Sequence, residues 1–176
     1  MRPARPLSVV LLFALALSAA ACSGAPGPRA WAASVCTALT PWRTEIGSLT
    51  SRAQQQITVN TTPGQAKENL GRLFAGAQDA SEKARAGVVK AGVPDVHNGK
   101  QIADGFTDAL AGLRDAYGRA ATGIEGLATA PAKTFYAEVE KVVDQLNTDY
   151  RASSLDTTKL NSPELKEAFD EVPECR

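Results

Sequence analysis

The sequence predicts an all-α protein, an antiparallel up-down-up-down four-helix bundle with a C-terminal tail and short helix tied back onto it. Three observations carry this. Four separate stretches place apolar residues at alternating steps of three and four, short connections divide them, and no stretch alternates apolar with polar residues as a half-buried strand does. The period near 3.5 favours small, left-handed crossing angles between neighbouring helices.

The first stretch runs through Ala32, Val35, Leu39, Trp42, Ile46, Leu49 and Ala53. Pro41 lies within it, and a proline removes one helical hydrogen bond, so two readings stand: one helix kinked at Pro41, or a helix that starts there with Thr40 as its N-cap. The unbroken phase across Pro41 favours the single helix. The second helix opens at "TPGQ", with Thr62 as N-cap, Pro63 in the first position and Gln65 at capping-box spacing. Its seam is lean, namely Ala66, Leu70, Leu73, Ala77, Ala80, Ala84, Val88 and Ala91, and Gly92 with Pro94 supplies the stop.

The third helix, about residues 100–128, has the cleanest stripe, from Ala103 and Phe106 through Leu110, Leu113, Tyr117 and Ala120 to Ile124 and Leu127. Gly105, Gly112, Gly123 and Gly126 lie beside that stripe, and each costs up to about 1 kcal/mol in a helix, which points to a backbone packed closely against them. A fourth helix follows Pro131 with Phe135, Val139, Val142 and Leu146, and the chain closes through a loop, a short helix opening at Ser162-Pro163, and a final cysteine.

The N-terminus has its own grammar. Residues 1–21 carry Arg2 and Arg5, then an apolar run from Leu7 to Leu17, then small residues up to Ala21, which is the order of a secretion signal. The apolar run is too short to span a bilayer, which needs about 20 residues. "AAAC" at 19–22, followed by Ser23 and Gly24, resembles the lipobox of bacterial lipoproteins, with Ala19 where Leu is more usual. The resemblance covers this terminus alone. It implies diacylglycerol on the Cys22 sulfur, cleavage before Cys22, and a location on the extracytoplasmic face of the cell membrane. Together with the alanine- and arginine-rich composition, it is similar to small lipoproteins of high-GC actinobacteria.

The chain holds three cysteines. With Cys22 acylated, Cys36 and Cys175 remain as an even pair, suited to an oxidising space. In the expected topology the first helix starts, and the fourth ends, at the same end of the bundle, so these two can meet as a disulfide. Residues 22–30 read as a lipidated Gly/Pro-rich tether reaching roughly 25 Å at about 3.1 Å per residue. Residues 31–176 form the helical domain.

Composition excludes several classes. The chain has 19 basic and 19 acidic residues, and removal of Arg2 and Arg5 leaves a net charge of −2 on the mature part, with no basic stripe for nucleic acid and no polybasic patch. The single histidine, His97, sits in "PDVHNG" and reads as a solvated loop residue, too little for a Ser/His or Cys/His nucleophilic site or for a zinc centre. "GVPDVHNGK" at 92–100 lacks phosphate-loop spacing, and the capping role of Thr62 explains "NTT" at 60–62 without glycosylation. Glu138, Glu140, Asp144 and Asp149 lack the partnering histidines of a di-metal bundle and alternate with Lys133 and Lys141 as a solvated face. Trp31, Tyr136 and Tyr150 lie off or at the ends of the stripes, where burial under the tail or the kink is favoured over partner anchoring.

The reading is therefore a non-enzymatic protein without metal or cofactor, anchored to the membrane by lipid, with a structural role or a protein partner in the envelope. A carrier that binds an apolar small molecule between helices is the alternative. The sequence does not specify an oligomeric state.

Overall fold

The computed structural model describes residues 24–153 and 160–176. Among these residues the protein is all-helical: α1 (Pro28–Gln56), α2 (Pro63–Ala91), α3 (Gly99–Glu125), α4 (Ala132–Ala152), α5 (Pro163–Glu171) and a closing 3-10 turn at Pro173–Cys175. Pro41 stands inside α1, so the helix is continuous and the alternative start at Thr40 does not occur. Because Pro41 has no N–H, the carbonyl of Thr37 loses its usual helical partner. The helix also begins before the expected apolar stretch, with Pro28 in its first turn and Trp31 already fully buried.

The start of α2 forms as its sequence dictates. The Thr62 hydroxyl accepts from the Gln65 N–H at 3.3 Å while the Gln65 side-chain oxygen accepts from the Thr62 N–H at 2.9 Å, a reciprocal capping box. Gly92 ends the helix at a φ of 74°, a left-handed conformation that glycine adopts without steric cost. Ser162 caps α5 in the same manner, accepting from the Leu165 N–H at 3.3 Å.

Three contacts join neighbouring helices. The Trp31 indole N–H near the start of α1 donates to the Gly92 carbonyl just past α2 at 2.8 Å. Lys67 in the first turns of α2 donates to the Leu127 carbonyl just past α3 at 2.8 Å, and Arg119 pairs with Asp149 across α3 and α4 at 2.7 Å. The first two join the start of one helix to a residue just past the end of its neighbour, while Arg119 and Asp149 both lie in the later part of their helices.

α1 packs on α2, α2 on α3 and α3 on α4, whereas α5 and the closing turn pack on α1. Two large core regions follow from this division, beside a small one of Ala32, Ala168 and Val172. One joins Trp31, Val35 and Leu39 of α1 with Val88, Phe106, Leu110, Leu113 and Leu165 of α5. The other joins Phe74, Tyr117 and Ile124, with Leu70, Val139, Val142 and Leu146 against them. α4 ends with Ser153 beside Gly112, midway along α3, and α5 covers the part of the core at the other end.

The lean α2 seam needs correction. Phe74, Asn69 and Ser81 are buried there, while Leu70 and Leu73 are only partly so. The glycine expectation for α3 is met by side chains rather than by a neighbouring backbone: Gly112 meets the Ser153 side chain and Gly123 that of Val142, while Gly105 faces open space.

Candidate functional site at the N-terminal end of α1

Cys22 lies outside the described residues. The structure brings Cys36 and Cys175 together, with their sulfurs 2.01 Å apart and their Cα atoms 5.0 Å apart, at disulfide distance across 139 residues of sequence. Cys36 is buried on α1, and the tail reaches it because α5 lays Leu165, Ala168 and Val172 into the core. Trp31 is the centre of that contact. Its ring lies edge-on to Phe106 at 5.3 Å and to Phe169 at 6.0 Å, while Phe106 and Phe169 stack at 5.9 Å. Trp31 is thus buried under the tail, as the sequence suggests, whereas Tyr136 and Tyr150, for which the same burial is expected, are exposed. Phe169 is partly buried against this core, and Leu165, Ala168, Phe169 and Val172 have the helical spacing that signals a buried face.

The segment that leads to α1 is also held. The Pro26 carbonyl accepts from the Asp95 N–H at 2.8 Å, so residues near the start of the described chain are fixed to the α2–α3 loop. That part of the expected tether is therefore docked, and helix covers residues 28–30. In the same loop Asn98 takes a left-handed φ of 59° before α3. His97 is exposed there. It lies near Glu164, whose carboxyl is held below its ordinary value chiefly by its own backbone N–H, then by the Ser162 hydroxyl donating at 2.8 Å, and more weakly by His97.

Charged groups elsewhere bind helices to one another. Glu82 on α2 accepts from Arg85 at 2.7 and 2.8 Å and from Arg114 on α3 at 2.9 Å, which pulls its pKa from 4.5 to about 2. Arg114 also donates to Asp115 at 2.7 Å. Of the four acids considered on α4, Glu138 pairs with Lys141 at 2.7 Å and Asp149 with Arg119, whose guanidinium is the main cause of a lowered Asp149 pKa. Among the described residues, no group of three or more His, Cys, Asp or Glu side chains is arranged to hold a metal ion. Nor is any described helix long and apolar enough to cross a membrane.

A surface groove of about 540 Å³ opens between α1 and α2 beside Pro41, with Ala38, Trp42, Ala80 and Ala84 among its lining and Glu45, Asp79 and Lys83 adding charge. Trp42 is fixed in its wall by an indole N–H donated to the Ser81 hydroxyl at 3.1 Å, and that hydroxyl in turn donates to the Ala77 carbonyl at 2.8 Å. Tight contacts lie on either side along the helices, where an added Cβ would come 2.6 Å from Ala38 at Gly87 and 2.9 Å from Leu49 at Gly76. Comparison with protein-family models, with curated proteins and with solved structures returns no match.

Proposed function

We propose that the protein is a lipid-anchored, extracytoplasmic helical domain with a non-enzymatic structural or protein-interaction role at the cell envelope. In this reading, residues 1–21 are a signal removed at export, Cys22 carries diacylglycerol, and the helices form an up-down-up-down bundle whose fourth position is shared by α4 and α5. The observation that carries it is the cysteine geometry: Cys36 and Cys175 satisfy one another at 2.01 Å, which leaves Cys22, directly after the small residues of the lipobox-like stretch, as the odd thiol. Two acyl chains on that sulfur provide stable anchoring, since each buried CH₂ contributes about 0.8 kcal/mol. Mass spectrometry of the mature protein extracted from membranes tests this. A diacylglyceryl-modified N-terminal Cys22 is expected; a freely soluble product with an unmodified first residue overturns the proposal.

The carrier alternative rests on the groove beside Pro41, whose volume is in the range of small-molecule sites. Its charged rim and solvent exposure suit an apolar ligand less well than an enclosed cavity does. Titration with an apolar fluorescent probe, read through Trp42 emission, distinguishes the two: saturable one-site quenching favours the carrier.

A further inference from the structure

We propose that the last turn of α2 and the α2–α3 loop form the face by which the protein rests on its membrane, with Val93 and Val89 at headgroup level. This inference rests on the anchoring through Cys22 proposed above. Its own support is geometric. The Pro26 carbonyl is bonded to the Asp95 N–H at 2.8 Å, so the chain leading from Cys22 is fastened to this loop. Cys22 and Pro26 are four residue steps apart, and at about 3.6 Å per extended residue their Cα atoms lie no more than about 14 Å from one another. The glycerol carried by the cysteine sulfur sits at the lipid surface, so the bilayer meets the protein at this end.

The side chains there suit an interface. Val89 is 54% exposed and Val93 42% exposed, two of the few large apolar residues on the surface, and exposed Lys90 lies between them in sequence. Apolar groups entering the headgroup layer beside a cation that meets anionic lipid is the chemistry of peripheral membrane contact. The comparable apolar pair Ile57 and Val59 lies beyond the other end of α1, whose 29 residues extend about 40 Å. The short fastening therefore selects between two exposed apolar ends.

The experiment uses the full mature protein, purified from membranes and reconstituted in phosphatidylcholine–phosphatidylglycerol vesicles whose acyl chains are brominated close to the headgroup. Val93→Trp and Val59→Trp are compared with the unaltered protein, whose Trp31 and Trp42 give the background emission. The Val93→Trp protein is expected to lose most of its added emission to the brominated lipid, and the Val59→Trp protein to keep its own. If mass spectrometry of the same sample finds the diacylglyceryl group, yet Val93→Trp is unquenched or Val59→Trp is quenched equally, the seating is overturned and the anchor stands. If the acyl group is absent, both fall.

Discussion

Reduction of the Cys36–Cys175 bridge tests how the tail contributes to stability. The bond joins residues separated by 139 positions, so it restrains nearly the whole described chain when unfolded. For a loop of that size the chain-entropy relation gives about 5 kcal/mol at 25 °C. Leu165, Ala168 and Val172 are buried with apolar surface of their own, so the native contacts are expected to survive loss of the bond. Reduction therefore acts mainly on the unfolded state. The measurement is urea unfolding of the wild-type chain, oxidised and in dithiothreitol, with helical circular dichroism recorded before denaturant is added. The native spectrum should be unchanged. With a denaturant slope of about 2 kcal/mol per M, the midpoint should fall by about 2.5 M. The Cys36→Ala/Cys175→Ala protein should follow the reduced wild type, with a small further loss from the missing buried sulfur. A midpoint that moves by less than about 0.5 M at unchanged slope refutes the reasoning, because the loop entropy would then be absent from the unfolded chain.

Glycine substitutions on two helices should act with opposite signs. Gly105→Ala meets nothing within 4 Å and should stabilise by up to about 1 kcal/mol, whereas Gly87→Ala places a methyl 2.6 Å from the Ala38 Cβ and should cost about 1–3 kcal/mol, both read by thermal unfolding. Thr62→Ala removes the hydroxyl half of the capping box and should lower stability by about 1 kcal/mol, with amide exchange rising first near Gln65. For Glu82 the folded pKa lies below the unfolded value, so its contribution is present above pH 4.5 and is lost as pH falls toward about 2. Glu82→Gln should therefore flatten the acid limb of a stability-against-pH curve, and an unaltered limb would count against the Arg85–Glu82–Arg114 linkage.

Periodicity made the helix positions legible because a helix buried on one face records that face every three to four residues. α3 shows this best: Ala103, Phe106, Leu110, Leu113, Tyr117, Ala120 and Ile124 are all buried where the stripe placed them. α2 is less legible. Its alanines allow the helix to be turned slightly about its axis without changing the pattern's apparent quality, and the structure takes the turn that buries Phe74 and Ser81. The hydroxyl of Ser81 is unexpected in a core until its partners are known, since burial requires both the Trp42 donor and the Ala77 acceptor. Close approaches were legible only as a class. Glycines suggest proximity, yet Gly105 is open while the close approach of Gly87 to Ala38 joins two helices whose relative height no local pattern encodes.

The division of labour between α4 and α5 explains why one cysteine pairing is compatible with this fold. α4 reaches only halfway along α3, where Ser153 lies beside Gly112, and packs on the core region of Phe74 and Tyr117 rather than on that of Trp31. α5 fills that place with Leu165 and Phe169, and the closing 3-10 turn then delivers Cys175 to Cys36. The Trp31–Gly92 and Pro26–Asp95 hydrogen bonds converge on this same end, and so does the bridge. The opposite end has no such closure among the described residues: the α1–α2 loop projects a fully exposed Val59, and Tyr136 touches it through one hydrogen bond to the Thr61 carbonyl at 3.2 Å. On the anchored reading, the constraints therefore gather where the chain meets the lipid, and the α1–α2 loop is left at the distance from the membrane where a second envelope protein can reach it.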